Sequence, residues 1–435
     1  MTTRFRAPVA LLCDESCTVL RDAVVDVDDA GRIDYVGAAA QAPTATGPEH
    51  HLTGILMPGM VNTHAHSAMS LLRGIGGDLP LQRWLREAMF PAEARMTAED
   101  VFRGTVLGAV EMLQHGITTS TEMYFHADAQ AQAVLRAGSR AVLAPAIMDG
   151  LPAATWQTMV EDVNAAIDAQ GLRYGEHLRV EMAYGPHSAY LLPAAALVEI
   201  GQEARRRGAL IHLHVAESAA EDEHIRARHG SVPRLLAGLG LTDNRLLLAH
   251  SVHVDADDIS IYARHRIGVA HCPTSNAKLA SGVMPLVDLL EAGVAVGLGT
   301  DGPASNDLLD LLGEARIAAL FARSLHRDAA AITAAQALLL ATSGGAAALG
   351  RDDIGVLESG RWADLIHLDV DVPAFATGLD APDGQLIANV VWAGGSRAVS
   401  DVWVAGKRVV CGREIVLVDR QEAQARVAES ARRLR

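Results

Sequence analysis

The run Met57-Pro58-Gly59-Met60-Val61-Asn62-Thr63-His64-Ala65-His66 decides how the rest of the chain is read. It is a short apolar segment opened by Pro-Gly and closed by two histidines. A strand sends successive side chains to opposite faces, so His64 and His66 share one face. Working outward, seven further stretches have the same texture: ITTSTEM, AVLAPAI, RVEMAYG, LIHLHVA, RLLLAH, IGVAH and AVGLGTD. Most are followed by an amphipathic stretch such as AEDVFRGTVLGAVEMLQHG or PAAALVEIGQEARRRG. Eight βα units in series predict an α/β fold, a (β/α)8 TIM-type barrel. A doubly wound open sheet is the competing arrangement. Against it, no Gly-rich phosphate loop follows the first strand, and polar residues gather at strand ends throughout.

The flanks read differently. From Val9 to about Leu56, VALLC, TVL, AVVDV and IDYVG are short β-like runs broken by Asp, Gly and Pro. The texture returns in ADLIHLDVD, NVVWAG, VSDVWVAGKRVV and EIVLVD. Two such pieces around a different middle predict one small discontinuous β-sandwich, with parts at 1–58 and 353–420 and the barrel at 59–352. Residues 421–435 predict a mostly polar, solvated helix, or else one that packs on a neighbouring subunit.

Composition narrows the partners. A formal charge of −15 repels phosphate backbones and acidic lipid heads, so neither nucleic acid nor a membrane is expected. No apolar run is long enough for a membrane span, and the N-terminus lacks the cleavage site of a signal peptide. Four scattered cysteines suit a reducing compartment, so a cytoplasmic enzyme is expected. Cys13 and Cys17 are read as strand residues rather than metal ligands.

In a barrel, chemistry sits where strands end at the C-terminal face. The first strand ends with His64 and His66. The fifth offers His212, His214 and then Glu217, the sixth His250 and His253, and the eighth Asp301. Three neutral imidazoles and a carboxylate, with room for one water, suit zinc or another borderline divalent ion better than magnesium or calcium.

PGMVNTHAH, HVAE, AHSVH and GTDGPASND resemble the motifs of the amidohydrolase superfamily, in order and at fitting intervals. The chain most resembles the 5-methylthioadenosine/S-adenosylhomocysteine deaminases and their adenosine-deaminating relatives. The likeness extends through SAMSLLRGIGGDLPLQRWL, FPAEARM, EMYFH, GPHSAYL, HCPTSNAKLASG and WADLIHLD. It implies that His64, His66, His214 and Asp301 hold the metal and that Glu217 shuttles protons. It places His250 beside the metal, Glu93 on the ribose hydroxyls and His187 against the nucleoside. Two-metal members commonly bridge their ions with a carbamoylated lysine. The only lysines here are Lys278, in a loop after the seventh strand, and Lys407, in the C-terminal β-region; neither sits at the end of a middle strand, so one zinc per subunit is expected, with iron or manganese as substitutes.

The implied activity is hydrolytic deamination of an adenine nucleoside to its inosine analogue and ammonia. Water activated on the metal attacks C6, Asp301 takes up its proton, and Glu217 protonates the ring nitrogen. His212 lies two residues deeper than His214 and is weighed as a substitute ligand, while His253 and His271 are read as supporting residues. His126 and Trp84 are candidates for the pocket wall, with a loop and an ordinary core position as the alternatives. No arginine occurs from Ala141 to Leu172, where members that accept S-adenosylhomocysteine are expected to clamp its carboxylate. That favours 5-methylthioadenosine, adenosine or a similar small 5′-substituted nucleoside, unless a neighbouring subunit of a dimer or tetramer donates the cation. The rival readings are a hydrolase of a free base, a pterin or an s-triazine within the superfamily, and a non-catalytic scaffold barrel.

Overall fold

The computed structural model describes residues 2–150 and 154–434. Met1, Arg435 and the LPA stretch after the third strand, which the sequence reading included, lie outside the described residues.

Eight strands run parallel in chain order: Met60–Ala65, Ile117–Glu122, Arg140–Leu143, Val180–Pro186, Leu210–Val215, Arg245–His250, Gly268–His271 and Val296–Leu298. The last returns to the first. Asp301 N donates to His64 O at 2.9 Å, Thr63 Oγ1 donates to Leu298 O at 2.9 Å, and Asn62 Nδ2 donates to Thr300 Oγ1 at 2.7 Å. The sheet therefore closes, which excludes the open doubly wound alternative. Gly299 permits the closure. A Cβ there would lie 2.8 Å from His64 Cβ and 3.1 Å from His64 N, too close for any side chain.

Helices cover the barrel because each is started and stopped locally. Thr97 and Asp100 form a capping box for Ala98–Gln114, Asp255 and Asp258 one for Ala256–His265, and Gly138 at φ +89° ends Ala127–Ala137. The Ala-rich stretch near 330–350 forms the helices Ala334–Leu340 and Ser343–Ala348, as its composition predicts.

The terminal segments share one nine-stranded sheet. Ile55–Pro58, which leads through Gly59 into the barrel, pairs antiparallel with Leu365–Leu368 and so joins the N- and C-terminal pieces. Strand Thr3–Leu11 and strand Val399–Val404 are three strand spacings apart in sheet order, about 14 Å in a flat sheet. Yet the Phe5 and Trp403 rings meet edge-on at 5.1 Å. The sheet is thus rolled over its own apolar face, giving the expected sandwich from a single sheet.

Three readings are corrected. NVVWAG is a wide helical turn, Asn389–Gly394, continuing the helix Asp383–Ala388. Val390 and Val391 are both buried, and a continuous apolar run does not distinguish strand from helix. Cys13 and Cys17 sit in the tight connection between the strands Thr3–Leu11 and Val19–Val27, with φ of +54° and +50°. The C-terminal helix Arg420–Leu434 is not a solvated appendage. It buries Ala423, Val427, Ser430 and Leu434 against Ala98–Gln114, and Arg103 reaches Glu429 at 3.0 Å.

Candidate functional site

The strand ends bring four imidazoles and one carboxylate to a point. His64, His66 and His214 each offer a nitrogen within 4.8 Å of the others, and His64, His250 and Asp301 form a second such group. His66 Nε2 is 3.1 Å and His64 Nε2 3.4 Å from Asp301 Oδ1, and His214 Nε2 is 3.4 Å from His66 Nε2.

The other ring nitrogens show how these side chains are protonated. His214 Nδ1 lies 2.7 Å from the His187 carbonyl, and His66 Nδ1 faces the Met123 carbonyl. A carbonyl only accepts, so Nδ1 carries a proton in both, and in the neutral ring each Nε2 then keeps its lone pair. His64 reaches the same state through a relay. His212 Nδ1 donates to Leu247 O at 3.0 Å, which leaves His212 Nε2 to accept from His64 Nδ1 at 2.7 Å. His64 Nε2 is then a fully buried lone pair with no hydrogen-bond partner. Three such lone pairs gathered within 4.8 Å of one another, two of them facing Asp301 Oδ1, fit a divalent cation with a preference for imidazole, and outer partners of this kind orient metal-binding histidines. His212, weighed as a ligand, is the support behind His64 instead.

Asp301 is committed on one side only. Ser275 and Ser305 hydroxyls donate to its Oδ2 at 2.5 and 2.9 Å, leaving Oδ1 toward the imidazoles. His250 Nδ1 faces Asn276 Oδ1 at 2.8 Å, and its Nε2 lies 3.9 Å from Glu217 Oε2. Burial raises the Glu217 carboxyl, with the nearby His250 working against it. His250 at φ +73° and Asp301 at φ +57° occupy the left-handed region, strain of the kind that collects at functional sites.

Above this cluster opens a cleft whose wall includes Trp84, Tyr124 and Tyr190. Every residue that the resemblance assigns to the site lines it except His64, which lies beneath. Glu93 stands beside Tyr124, and burial raises its carboxyl while the Tyr124 hydroxyl lowers it. Burial drops His187 to about 3, so it faces the cleft as a neutral ring. Trp84 lines the wall together with Leu81, Leu85 and Phe90, and its buried indole Nε1 has no partner. No arginine or lysine lies among the described lining residues.

His126 does not line the cleft. It is exposed at φ +56° at the start of Ala127–Ala137. His253 Nε2 is tied to Ser281 O at 2.9 Å, and His271 is buried beneath the site. Ser275, Asn276 and Ser305, which orient Asp301 and His250, were not singled out from the sequence. Their signal was the density of short polar residues in HCPTSNAKLASG and GTDGPASND.

Residues 55–409 match the amidohydrolase family. This chain belongs to that family. The amidohydrolase is 40% identical over 403 residues to the 5-methylthioadenosine/S-adenosylhomocysteine deaminase of Pelotomaculum thermopropionicum, covering 92% of this chain and 91% of the relative. It is 42% identical over 413 residues to the protein of that name from Symbiobacterium thermophilum, covering 93% of each. The crystal structure of an adenosine deaminase from Xanthomonas campestris with bound zinc superposes with a TM-score of 0.91 at 34% identity, covering 99% of this chain and 98% of that one. The amidohydrolase is therefore a hydrolase acting on C–N bonds, of the deaminating type. Among its described residues, no helix is long and apolar enough to cross a membrane.

Proposed function

We propose that this amidohydrolase deaminates an adenine nucleoside bearing a small, uncharged 5′ group, such as 5-methylthioadenosine or adenosine, to the inosine analogue and ammonia. One observation carries the reading. Glu217, Glu93 and His187 face a single cleft whose floor is the His66, His214 and Asp301 cluster and whose described wall has no cation. A free base has no use for a ribose contact such as Glu93 provides.

His64, His66 and His214 through Nε2, and Asp301 through Oδ1, would hold one divalent ion, with zinc best suited to the donors. Bound there, it lowers the pKa of a water toward 7 and so supplies a nucleophile at neutral pH. Asp301 Oδ1 would accept the proton that the attacking water gives up. Glu217, whose carboxyl burial raises, donates to ring N1; the proton taken up by Asp301 passes to the leaving amine as ammonia departs, and the C6 hydroxyl proton returns to Glu217. His250, its Nδ1 proton held by Asn276, presents Nε2 as an acceptor beside the attacking oxygen. Lys278 is paired with Asp307 and Lys407 with Glu176, so neither is available to bridge a second ion.

Ammonia release from 5-methylthioadenosine, adenosine, 5′-deoxyadenosine, S-adenosylhomocysteine and guanine tests the reading. The first three should turn over, and S-adenosylhomocysteine should fall behind by roughly 10-fold or more in kcat/KM, since its carboxylate meets no partner. Turnover of guanine alone would overturn the nucleoside assignment. Preference for S-adenosylhomocysteine would overturn the uncharged 5′ group and point to a cation from a neighbouring subunit.

A further inference from the structure

We propose that Glu221 is a positioning residue for Glu217, fixing through the backbone the direction in which the Glu217 carboxyl enters the cleft. The proposal rests on reading Glu217 as the proton donor. Glu221 does not line the cleft and is only 4% exposed.

Its side chain departs from what a helix start requires. Ser218 caps the helix Ala219–His229, its Oγ accepting from Glu221 N at 3.3 Å. In a capping box the third residue reciprocates, its carboxylate accepting from the backbone N–H of the cap itself. The chain does this at Thr97 with Asp100 and at Asp255 with Asp258. Glu221 instead reaches one residue further back, and its Oε2 accepts from Glu217 N at 3.0 Å. The bond that would serve the helix has moved to the residue that faces the substrate.

The turn it holds needs holding. Ala216, between the end of the fifth strand and Glu217, has φ +49°, a left-handed conformation that is strained for an alanine. The Ala216 carbonyl is tied to the sixth-strand loop by Val252 N at 3.1 Å and His253 N at 3.0 Å. Glu221 secures the other side of the same turn. Without it, the Glu217 N–H would be buried and unpaired, and the turn would relax. Burial also lifts the Glu221 carboxyl to about 8, so at neutral pH it adds no second negative charge next to Glu217.

Glu221→Leu removes the acceptor at similar volume, and Glu221→Gln keeps an acceptor oxygen. Steady-state rates and bound metal are measured for both. Glu221→Leu should lower kcat roughly 10- to 100-fold, the scale of a misplaced catalytic group, with KM within about threefold and metal content unchanged. Glu221→Gln should recover most of that loss. Wild-type kcat in Glu221→Leu, a defect confined to KM, loss of metal, or equal damage in both variants would each overturn the proposal. If Glu221→Leu does not fold, Glu221→Ser, too short to reach Glu217 N, must show the same kcat loss. Failure of the deaminase reading shows separately, as a wild type inactive on nucleosides, and the comparison is then made on the substrate it does turn over.

Discussion

His64 and His212 are joined by a single hydrogen bond of 2.7 Å between two completely buried rings, and that bond selects the His64 tautomer whose Nε2 faces the Asp301 carboxylate. Cut the relay and His64 has no acceptor to hold its proton on Nδ1. His212→Leu should therefore weaken metal binding by about 10- to 100-fold, the usual effect of losing such a support. Competition against a chelator of known affinity measures this directly. An unchanged affinity would show that the tautomer is set by some other group.

Glu217→Gln keeps the shape of the side chain and removes the exchangeable proton. kcat should fall by about 10²- to 10⁴-fold, with metal content unchanged, because Glu217 reaches none of the ligand nitrogens. The pH profile gives a second check. Burial raises the Glu217 pKa, and the proposed mechanism uses its protonated form as the donor, so wild-type kcat should fall on the alkaline side as the group ionises. The alkaline limb should vanish from the residual activity of Glu217→Gln.

How far the sequence could be read follows from what kind of signal each feature leaves. His64 and His66 fall on one face because strand periodicity is local, and the eight strands show because each is a short apolar run ending in polar residues. The role of His212 was not legible. Its partner His64 is 148 residues away, and whether a strand histidine faces a metal or a neighbouring ring depends on the stagger between nonadjacent strands. Asn276 and Ser305 were hidden for the same reason, since short polar loop residues look alike until the loops are placed. NVVWAG misled because tertiary packing decided between helix and strand. The arrangement of the cap at Ser218 was also invisible: the sequence ESAAE allows an ordinary capping box, and only the fold shows Glu221 reaching past it.

Glu314 ties two of those loops together. Its Oε1 accepts from Asn306 Nδ2 at 2.8 Å and its Oε2 from Thr274 N at 3.1 Å, so it bridges the loops that present Ser305 and Ser275 to Asp301. Burial raises its carboxyl to about 7. A carboxyl that binds its proton more tightly when folded than when unfolded contributes stability below about pH 4.5, and that contribution is lost as pH rises through about 7. The full effect is on the order of 3 kcal/mol. Glu314→Gln, which cannot ionise, should lose this dependence. The Tm difference between wild type and variant should shift in the variant's favour from pH 5 to pH 8 by thermal unfolding in matched buffers. A constant difference across that range would place the ionisation of Glu314 elsewhere.

The opposite end of the barrel rests on a different buried charge. Arg140, at the start of the third strand, is 0% exposed and grips Asp364 with Nε at 3.0 Å and Nη2 at 3.1 Å. Asp364 Oδ1 also accepts from Ala405 N at 2.8 Å, and its carbonyl accepts from Gly59 N at 2.8 Å. Asp364 thus fastens the barrel floor and the rolled sheet through its carboxylate, and the entry to the first barrel strand through its carbonyl. Asp364→Asn keeps an acceptor for Ala405 but strands a buried guanidinium, which should cost about 3–5 kcal/mol in denaturant unfolding. Removing both charges together, with Arg140→Met and Asp364→Leu, should recover part of that loss, because no unpaired charge remains. Both proteins should keep near-normal kcat while folded, since strand starts lie away from the cleft. A loss of kcat as large as the loss of stability would mean that the rolled sheet and the strand ends are coupled through the barrel wall.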